Sequence, residues 1–451
     1  MNRAALLDEL RKKQDFKWDI IVIGGGATGL GIALDSVSRG YSTLLLEQSD
    51  FAKATSSRST KLVHGGVRYM AQGDLLLVME ALRERGIMLK NAPHITFNQE
   101  FVIPVYTWWD VFLYTVGLKF YDLLAGRLSM GKSFYINVQQ AVKRLPLLKS
   151  KGLKGGIVYH DGQFDDARLA IDLARATVER GGVVMNYCRV TGLMKDSDGR
   201  IEGVKAKESI TGEEFTFRAG LVINATGVFA DSISRMDNPG AKSTLRPSQG
   251  VHIVLDKSFL GSDSAIMIPK TDDGRVLFAI PWYNEVVAGT TDTPLDEITL
   301  EPVALESEID FILKTAGRYL VRPPQRSDVL CIFAGLRPLA ANSSDPSATK
   351  EVSRRHKIIL SSSGLLTVVG GKWTTYRMMA EETINKGIKA GFLEKRKCVT
   401  STLRLNSGKE NSLFPRLHIY GGHAEEIEKM ITEDPSSGEP FDPRLPYTAA
   451  E

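Results

Sequence analysis

Cysteine is scarce: Cys188, Cys331 and Cys398 are the only three in 451 residues, widely spaced and without a CxxC pair. That excludes a disulfide framework and a cysteine-rich zinc site, and no metal is expected. A reducing compartment fits. Long apolar runs are also missing, since nothing approaches the roughly 18 uninterrupted apolar residues of a membrane span. The N-terminal stretch MNRAALLDELRKKQDFKWD lacks the hydrophobic centre and small-residue cleavage site of a secretory signal. Its Asp8, Glu9 and Asp15 argue against a mitochondrial transit peptide. It reads as a short amphipathic helix leading into the first strand of a cytosolic protein. An excess of charge is lacking too: 57 Lys and Arg against 53 Asp and Glu leave +4, too little for a nucleic-acid groove. Internal repeats, low-complexity tracts, a Gly-X-Y period and a serine-nucleophile constellation are absent. What remains, 43% hydrophobic and 24% charged, is the balance of a globular protein. The length accommodates about three domain-sized units.

Asp19 to Ile23 (DIIVI) is a compact β-branched run, as a buried parallel strand requires. Gly24-Gly25-Gly26-Ala27-Thr28-Gly29 follows at once and matches G-x-G-x-x-G at Gly24, Gly26 and Gly29. A helix is expected over Ala27 to Arg39, with Leu30, Ala33, Leu34 and Val37 on one face and Gly40 just past its end. A second strand, Ser42 to Leu46, finishes in Glu47. In such a unit the first glycine makes a tight turn, the second admits a pyrophosphate, and the third lets helix and strand pack closely. The helix N-terminus, with Thr28 in its first turn, turns N–H groups and the positive dipole end toward the phosphates. Glu47 takes the ribose hydroxyls. A glycine-rich turn alone is common; strand, glycines, helix, second strand and acid in this order specify an adenine dinucleotide.

That fingerprint does not separate FAD from NAD. The loop Ala54-Thr55-Ser56-Ser57-Arg58-Ser59-Thr60-Lys61 offers donors for a further stretch of phosphate and ribityl chain. Without Glu47 just upstream it would read as a polar surface loop. His64-Gly65-Gly66 implies close backbone approach to a flat ligand. Ala219 to Asn224 is another buried strand, and the small-residue turn Ala225-Thr226-Gly227 returns to the dinucleotide. Leu365 to Val369 is a strand ending in Gly370-Gly371-Lys372, with a helix from Thr374 through Glu382.

Together, IGGGATG, ATSSRSTKLVHGGVRY, NATG, GLRPL and GGKWTTYR resemble the FAD-dependent glycerol-3-phosphate dehydrogenases, within the D-amino-acid-oxidase-like flavoproteins. The likeness runs from about Asp19 to about Ala380. The fold class it implies is α/β, with a discontinuous Rossmann-like FAD-binding domain over 18–100, 155–245 and 335–395. An antiparallel-sheet substrate domain takes 101–154 and 246–334, and 396–451 begins a helical C-terminal domain. Strand-like alternation at His252 to Leu255 and Arg275 to Ile280 agrees with this, as does a turn and helix start over Gly162 to Asp166, capped by Asp165 or Asp166. Ala424 to Ile431 reads as the start of the family's helical domain, and Pro435 to Pro446 as a linker. The end at Glu451 then marks a natural short form or a cut chain.

The resemblance implies FAD as cofactor and oxidation of the C2 alcohol of sn-glycerol 3-phosphate to dihydroxyacetone phosphate, with hydride passing to flavin N5. The cofactor-binding set is Gly24, Gly26, Thr28, Gly29, Glu47, Thr55, Ser56, Ser57, Lys61, His64, Gly65, Gly66, Ala225, Thr226, Gly227, Gly371, Lys372 and Thr374. Such chemistry needs cations for a dianionic phosphate and a base with a near-neutral pKa for the hydroxyl proton. It also needs positive charge near the flavin pyrimidine. Arg68, Arg337, Arg354 and Lys372 are the candidate cations, with Tyr69 and Thr290-Thr291-Asp292 lining the cavity. Arg354 and Arg355 are exchangeable in this reading, and Lys372 serves either the pyrimidine or the phosphate. For most basic residues the plainer reading, a solvated surface side chain, prevails. Among seven histidines, His64 is the expected general base because its glycine neighbours bring it against the flavin. His252 is the rival, or a ligand for a substrate hydroxyl, so the catalytic set is His64, His252 and Arg337. The plainer reading of either histidine is an imidazole hydrogen-bonded within a core. No residue is marked for covalent attachment, and noncovalent FAD is expected.

Trp108 to Gly126 (WWDVFLYTVGLKFYDLLAG) is the most apolar and aromatic stretch, interrupted by Asp110, Lys119 and Asp122, which excludes a span. It suits a helix lying in the headgroup region; a helix packed in the core is the alternative. With the resemblance, this points to a peripheral enzyme on the cytoplasmic face of the inner membrane that passes electrons to quinone. An oxidase releasing hydrogen peroxide and a truncated, non-catalytic flavin-binding protein are the other readings. The oligomeric state stays open, a homodimer included.

Overall fold

The computed structural model describes residues 1–67, 70, 73–272, 274–341, 355–406, 415–443, 445 and 447–451. Helix α1 (Arg3–Lys12) leads into β1 (Lys17–Ile23), α2 (Ala27–Ser38) and β2 (Thr43–Leu46). Then come β3 (Leu62–Val63), α3 (Leu75–Asn91), β4 (Thr96–Val105), α4 (Trp108–Ala125), β5 (Phe134–Ile136), α5 (Val138–Arg144) and β6 (Gly155–Phe164). Helix α6 (Asp166–Glu179) is followed by β7 (Val183–Met185), β8 (Cys188–Lys195), β9 (Ile201–Glu208), β10 (Glu214–Asn224) and α7 (Ala230–Asp237). A strand-rich stretch holds β11 (Leu245–Asp256), β12 (Ala265–Ile268), β13 (Leu277–Trp282), β14 (Glu285–Gly289) and β15 (Thr293–Pro294). The chain closes with α8 (Glu306–Tyr319), β16 (Val329–Ala340), β17 (Lys357–Leu360), β18 (Leu366–Val369), α9 (Tyr376–Lys389) and α10 (Ala424–Glu433).

Two sheets result. The first has the order β17-β18-β10-β1-β2-β7, with β1, β2, β7, β10 and β18 parallel and β8 and β9 folding back from β10 as an antiparallel meander. Alternation along β1 assigns its faces. Ile20 and Val22 pack with Leu30 and Leu34 of α2, Leu173 of α6 and Met379 of α9. Ile21 and Ile23 face Leu6, Leu7 and Leu10 of α1, together with Val204, Phe215 and Phe217 of the meander. Each such side chain contributes about 1.5–3 kcal/mol on burial. The second sheet, β15-β11-β14-β13-β12-β4-β6-β3 with β16 on β11 and β5 on β6, is antiparallel except where β12 runs parallel to β4. One face packs on Ile309 and Ile312 of α8. The other packs on Val78 and Leu82 of α3 and Leu118 and Tyr121 of α4. This is the mixed α/β architecture with a curled antiparallel sheet that the sequence motifs imply.

Several local expectations shift. A 3₁₀ turn over Trp373–Thr375 precedes α9, so the helix starts at Tyr376 and runs on to Lys389. Asp165 caps α6 by accepting from Arg168 N at 2.9 Å, but Gly162 to Phe164 ends a strand rather than forming a turn. That strand, β6, registers along β4 from Thr96↔Phe164 to Val105↔Gly155. It therefore belongs to the second sheet, as do β3 and the 335–340 end of β16. The segment after α9 also differs: Arg396 O accepts from Arg39, Cys398 Sγ meets Asp35 at 3.0 Å, and Asn91 Nδ2 donates to Thr400 O at 2.9 Å. It straps α2 to α3 before the chain reaches α10. Pro435–Gly438 is a 3₁₀ turn, and the chain then returns so that Ala450 packs on Leu417, Tyr420 and Ile427. Arg444 and Pro446 lie outside the described residues.

A buried ion pair ties α9 to α3. Arg377 donates from Nε and Nη2 to the two oxygens of Glu84, both at 2.7 Å, and from Nη1 to Glu381 at 2.7 Å. The Glu84 carboxylate raises the Arg377 pKa against the opposing effect of burial. Arg377→Met is expected to cost about 3–5 kcal/mol, because Glu84 is left buried without its cation. The loss is read as a fall in thermal midpoint, part of which the double variant with Glu84→Leu recovers.

Candidate active site

Strand β16 borders two cavities: Arg337 lines the smaller, of about 170 Å³, and Pro338 lines the larger, of about 530 Å³. The larger one lies over the turn between β1 and α2. Gly24, at φ +108°, passes so close to the next strand that a Cβ there would fall 2.7 Å from Ala225 O; one at Gly29 would fall 1.8 Å from Gly24 O. Backbone N–H groups of α2 therefore reach the cavity floor with no side-chain cap at Gly26, the arrangement that receives an anion. Ser56 Oγ fixes the turn by accepting from Ala27 N at 2.9 Å. Glu47 accepts from Gly25 N at 2.6 Å and Ser49 N at 2.8 Å. Burial pushes its carboxyl above the ordinary range while those N–H groups pull it down.

Of the expected cofactor residues, Gly24, Gly26, Thr28, Glu47, Thr55, Ser56, Ala225, Thr226, Gly227, Gly371 and Lys372 line this cavity. Others do different work. Gly29 serves helix–strand packing. Ser57 O accepts from Lys61 Nζ at 2.7 Å, and Lys61 is paired with the buried Asp166 at 2.6 Å, so both hold the loop and line neither cavity. Gly65 is small because Tyr121 OH and Leu82 leave no space, with a Cβ falling 2.3 Å from that oxygen. Thr374 is buried, with its hydroxyl 3.5 Å from His64 O.

The smaller cavity gathers His64 and Gly66 with Thr60, Asp161, Arg275, Phe278, Thr290, Thr291, Asp292 and Arg337. Arg337 is held in a fork: Nη2 donates to Thr290 Oγ1 at 2.9 Å and Thr291 O at 2.7 Å, while Nη1 donates to Gln249 O at 3.1 Å and pairs with Asp292 at 3.3 Å. Lys372 lies with the larger cavity, not beside Arg337. His252 departs from the expectation for a base. It is buried behind Thr60, whose Oγ1 is 2.9 Å from its Nε2, and it stacks on Phe333 without lining either cavity. Burial, then Arg337 and Lys61, push its pKa down to about 3, so it is a neutral imidazole and a weak base. Arg68, Tyr69 and Arg354 lie outside the described residues; Arg355 pairs with Asp74 at 3.1 Å.

Asp161 and Arg275 are site residues that motif reading did not single out. Asp161 sits on the inward face of β6 beside Tyr159, and a charge at an inward position was the available signal. It accepts from Arg85 Nη1 at 2.7 Å, Tyr121 OH at 2.9 Å and Gly65 N at 3.3 Å. The pair thus anchors the His64-Gly65-Gly66 turn from behind. Burial, then Asp161, raises the Tyr121 hydroxyl well above its ordinary pKa. Arg275 precedes β13 and was legible only as the start of a strand.

Residues 19–377 match the family described as DAO, FAD dependent oxidoreductase. The mitochondrial glycerol-3-phosphate dehydrogenase of Homo sapiens is 41% identical over 100% of this chain and 66% of that protein. The chain thus spans just under two thirds of that relative's length. Among solved structures, the glycerol-3-phosphate dehydrogenase from Bacillus halodurans complexed with FAD superposes with TM-score 0.78 at 31% identity, over 98% of this chain and 84% of that one. The L-alpha-glycerophosphate oxidase from Mycoplasma pneumoniae with FAD bound has TM-score 0.65 at 16% identity, over 86% and 98%, and shares the fold.

One wall of the larger cavity is the segment 298–300, clipped in place by Glu301, whose two oxygens meet Lys53 Nζ and Arg58 Nη2 at 2.5 Å each. Hydrogen bonds from Lys53 and then Arg58 bring the Glu301 carboxyl down to about 2. The clip is complete above the ordinary value of 4.5 and lost as pH falls through about 2. Glu301→Gln is expected to speed release of a dinucleotide from this cavity several-fold, followed by its fluorescence, with the thermal midpoint unchanged.

Proposed function

Because the chain belongs to the FAD-dependent oxidoreductases, and among them to the glycerol-3-phosphate dehydrogenases, we propose that it oxidises sn-glycerol 3-phosphate to dihydroxyacetone phosphate with FAD as its cofactor. The observation that carries this reading is the pair of cavities flanking β16, one floored by a helix N-terminus and the other lined by Arg275, Arg337 and His64. The first fits FAD: the glycine turn at Gly26 takes the pyrophosphate, Glu47 the ribose hydroxyls, and Thr55, Ser56 and the Ala225-Thr226-Gly227 turn the rest of the chain. When bound, FAD supplies the two-electron oxidant that accepts hydride from the alcohol carbon.

The residues of this chain do the remaining work. Arg337 and Arg275 supply the positive charge that draws the phosphate into this cavity. His64 takes the hydroxyl proton, since it lines the cavity whereas His252 does not. Thr60, which lines the same cavity and contacts His252, orients the hydroxyl. Lys372 brings positive charge to the cofactor's side. Phe278, Phe101 and Met267 limit water around the reacting carbon. The test is anaerobic titration: sn-glycerol 3-phosphate bleaches the flavin absorbance, and a quinone analogue restores it. His64→Gln is expected to slow the bleaching by about 10²–10⁴-fold; an unchanged rate rejects His64 as the base. Peroxide formation in air without quinone turnover identifies an oxidase, and an unbleached yellow protein removes the activity.

Electrons pass to a membrane quinone, and α4 makes the membrane contact. Its outer side leaves Trp108, Trp109, Phe112, Leu113, Val116, Phe120 and Leu123 exposed, Trp109 at 68% and Leu123 at 74%. An apolar surface of this kind marks an interaction site, and an aromatic-rich helix face suits the headgroup boundary. No helix among the described residues is long and apolar enough to cross a membrane. The protein is expected to cosediment with lipid vesicles, and replacing Trp108, Trp109 and Phe112 by Ser to weaken this; unchanged sedimentation removes the contact.

A further inference from the structure

Glu308, in the first turn of α8, is 4% exposed; it caps its own helix through Leu305 N and takes its other three donors from β11 and the 290–293 stretch. Its Oε1 accepts from Thr291 Oγ1 at 2.8 Å and Thr293 Oγ1 at 2.6 Å; its Oε2 accepts from Gln249 Nε2 at 2.7 Å and Leu305 N at 3.0 Å. No cation is among these partners. The four hydrogen bonds are what make a buried carboxylate tolerable here.

Two of those donors sit in the same stretches that grip Arg337. The carbonyl oxygens of Gln249 and Thr291 accept from the guanidinium, and so do Thr290 and Asp292 on either side of Thr291 and, at 3.5 Å, Ser248 Oγ. Thr291 Oγ1 also accepts from Val251 N at 3.0 Å. One hydroxyl thus joins β11, the 290–293 loop and the Glu308 carboxylate. Gln249 does the same from the other side, since its side chain reaches Glu308 and Val303 O while its main chain holds Arg337.

We infer that Glu308 is a positioning residue that fixes the direction in which the Arg337 guanidinium faces the smaller cavity, without lining that cavity itself. A guanidinium is a planar fork, so its value to a phosphate depends on its plane as well as its place. The acceptors that set the plane are the Gln249 carbonyl of β11 and the Thr290, Thr291 and Asp292 oxygens of the loop before β15. Glu308 holds that strand and that loop at a constant separation. The inference rests on reading Arg337 as a cation of the substrate pocket.

Glu308→Gln keeps the size of the side chain but replaces an acceptor by an NH₂ group, so the four donors are no longer all satisfied. It is expected to lower kcat/KM for sn-glycerol 3-phosphate about tenfold, the scale of misaligning one charge-assisted hydrogen bond, mainly through KM. Flavin content and thermal midpoint serve as controls. Thr293→Val removes one donor to Glu308 and touches none of the Arg337 acceptors, so it gives a smaller loss in the same direction and serves where Glu308→Gln folds poorly. The deciding measurement is a double-mutant cycle with Arg337→Lys, whose point charge has no plane to misalign. Loss of the Glu308→Gln and Thr293→Val effects in the Arg337→Lys background supports the inference, and multiplicative losses overturn it. If Arg337→Lys alone leaves kcat/KM unchanged, the reading of the pocket itself falls.

Discussion

A methyl group has no room where β1 turns into α2. The Gly29 side of that turn lies against Gly24 O, and the Gly24 side lies against the Ala225 carbonyl. Everything around the larger cavity depends on this crowding. It seats the helix N-terminus at the end of the parallel sheet, places Glu47 beside the turn through Gly25 N–H, and brings the Ala225-Thr226-Gly227 turn to the opposite wall. The same close approach leaves backbone N–H groups, in place of side chains, to face an anion. Such donors stay fixed when their ligand departs, which is the property a tightly held dinucleotide site needs.

Around the smaller cavity, order comes from buried charge. Asp161 with Arg85 and Tyr121 holds the His64 turn, and Glu308 gathers donors behind Arg337. In each case a carboxylate carries several hydrogen bonds, so rotation of one partner strands the others. Such groups add little net stability compared with apolar side chains of equal size. Their value here is directional, because the residues they support are those facing the cavity.

The first sheet and its glycine-rich turn were legible because their signals are local: DIIVI, the glycines, the helix face of Leu30 and Leu34, and Glu47 all fall within one short stretch. The antiparallel sheet was legible in kind but not in extent. Gly162 to Asp166 reads as a turn and helix start, and only the pairing of Gly155–Phe164 with Thr96–Val105 shows that a strand runs to Phe164. Gly65 and Lys61 sit inside a motif that suggests ligand contact, yet Gly65 answers to Tyr121 and Leu82, and Lys61 to Asp166. His252 and Glu308 carry the same lesson. An imidazole or a carboxylate takes its character from partners far along the chain, and these the local pattern does not name.

The two sheets are threaded through one another. Strands of the first fall at 17–46, 183–224 and 357–369, while those of the second fall in the gaps between them, at 62–164 and 245–340. Neither sheet is therefore an unbroken length of polypeptide. During synthesis on a ribosome, β1 waits for β10, and β3 waits for β6, with their edges open meanwhile. Topology of this kind folds slowly and exposes sticky surface while it does so. The demand for chaperone protection is thus written into the order of the strands.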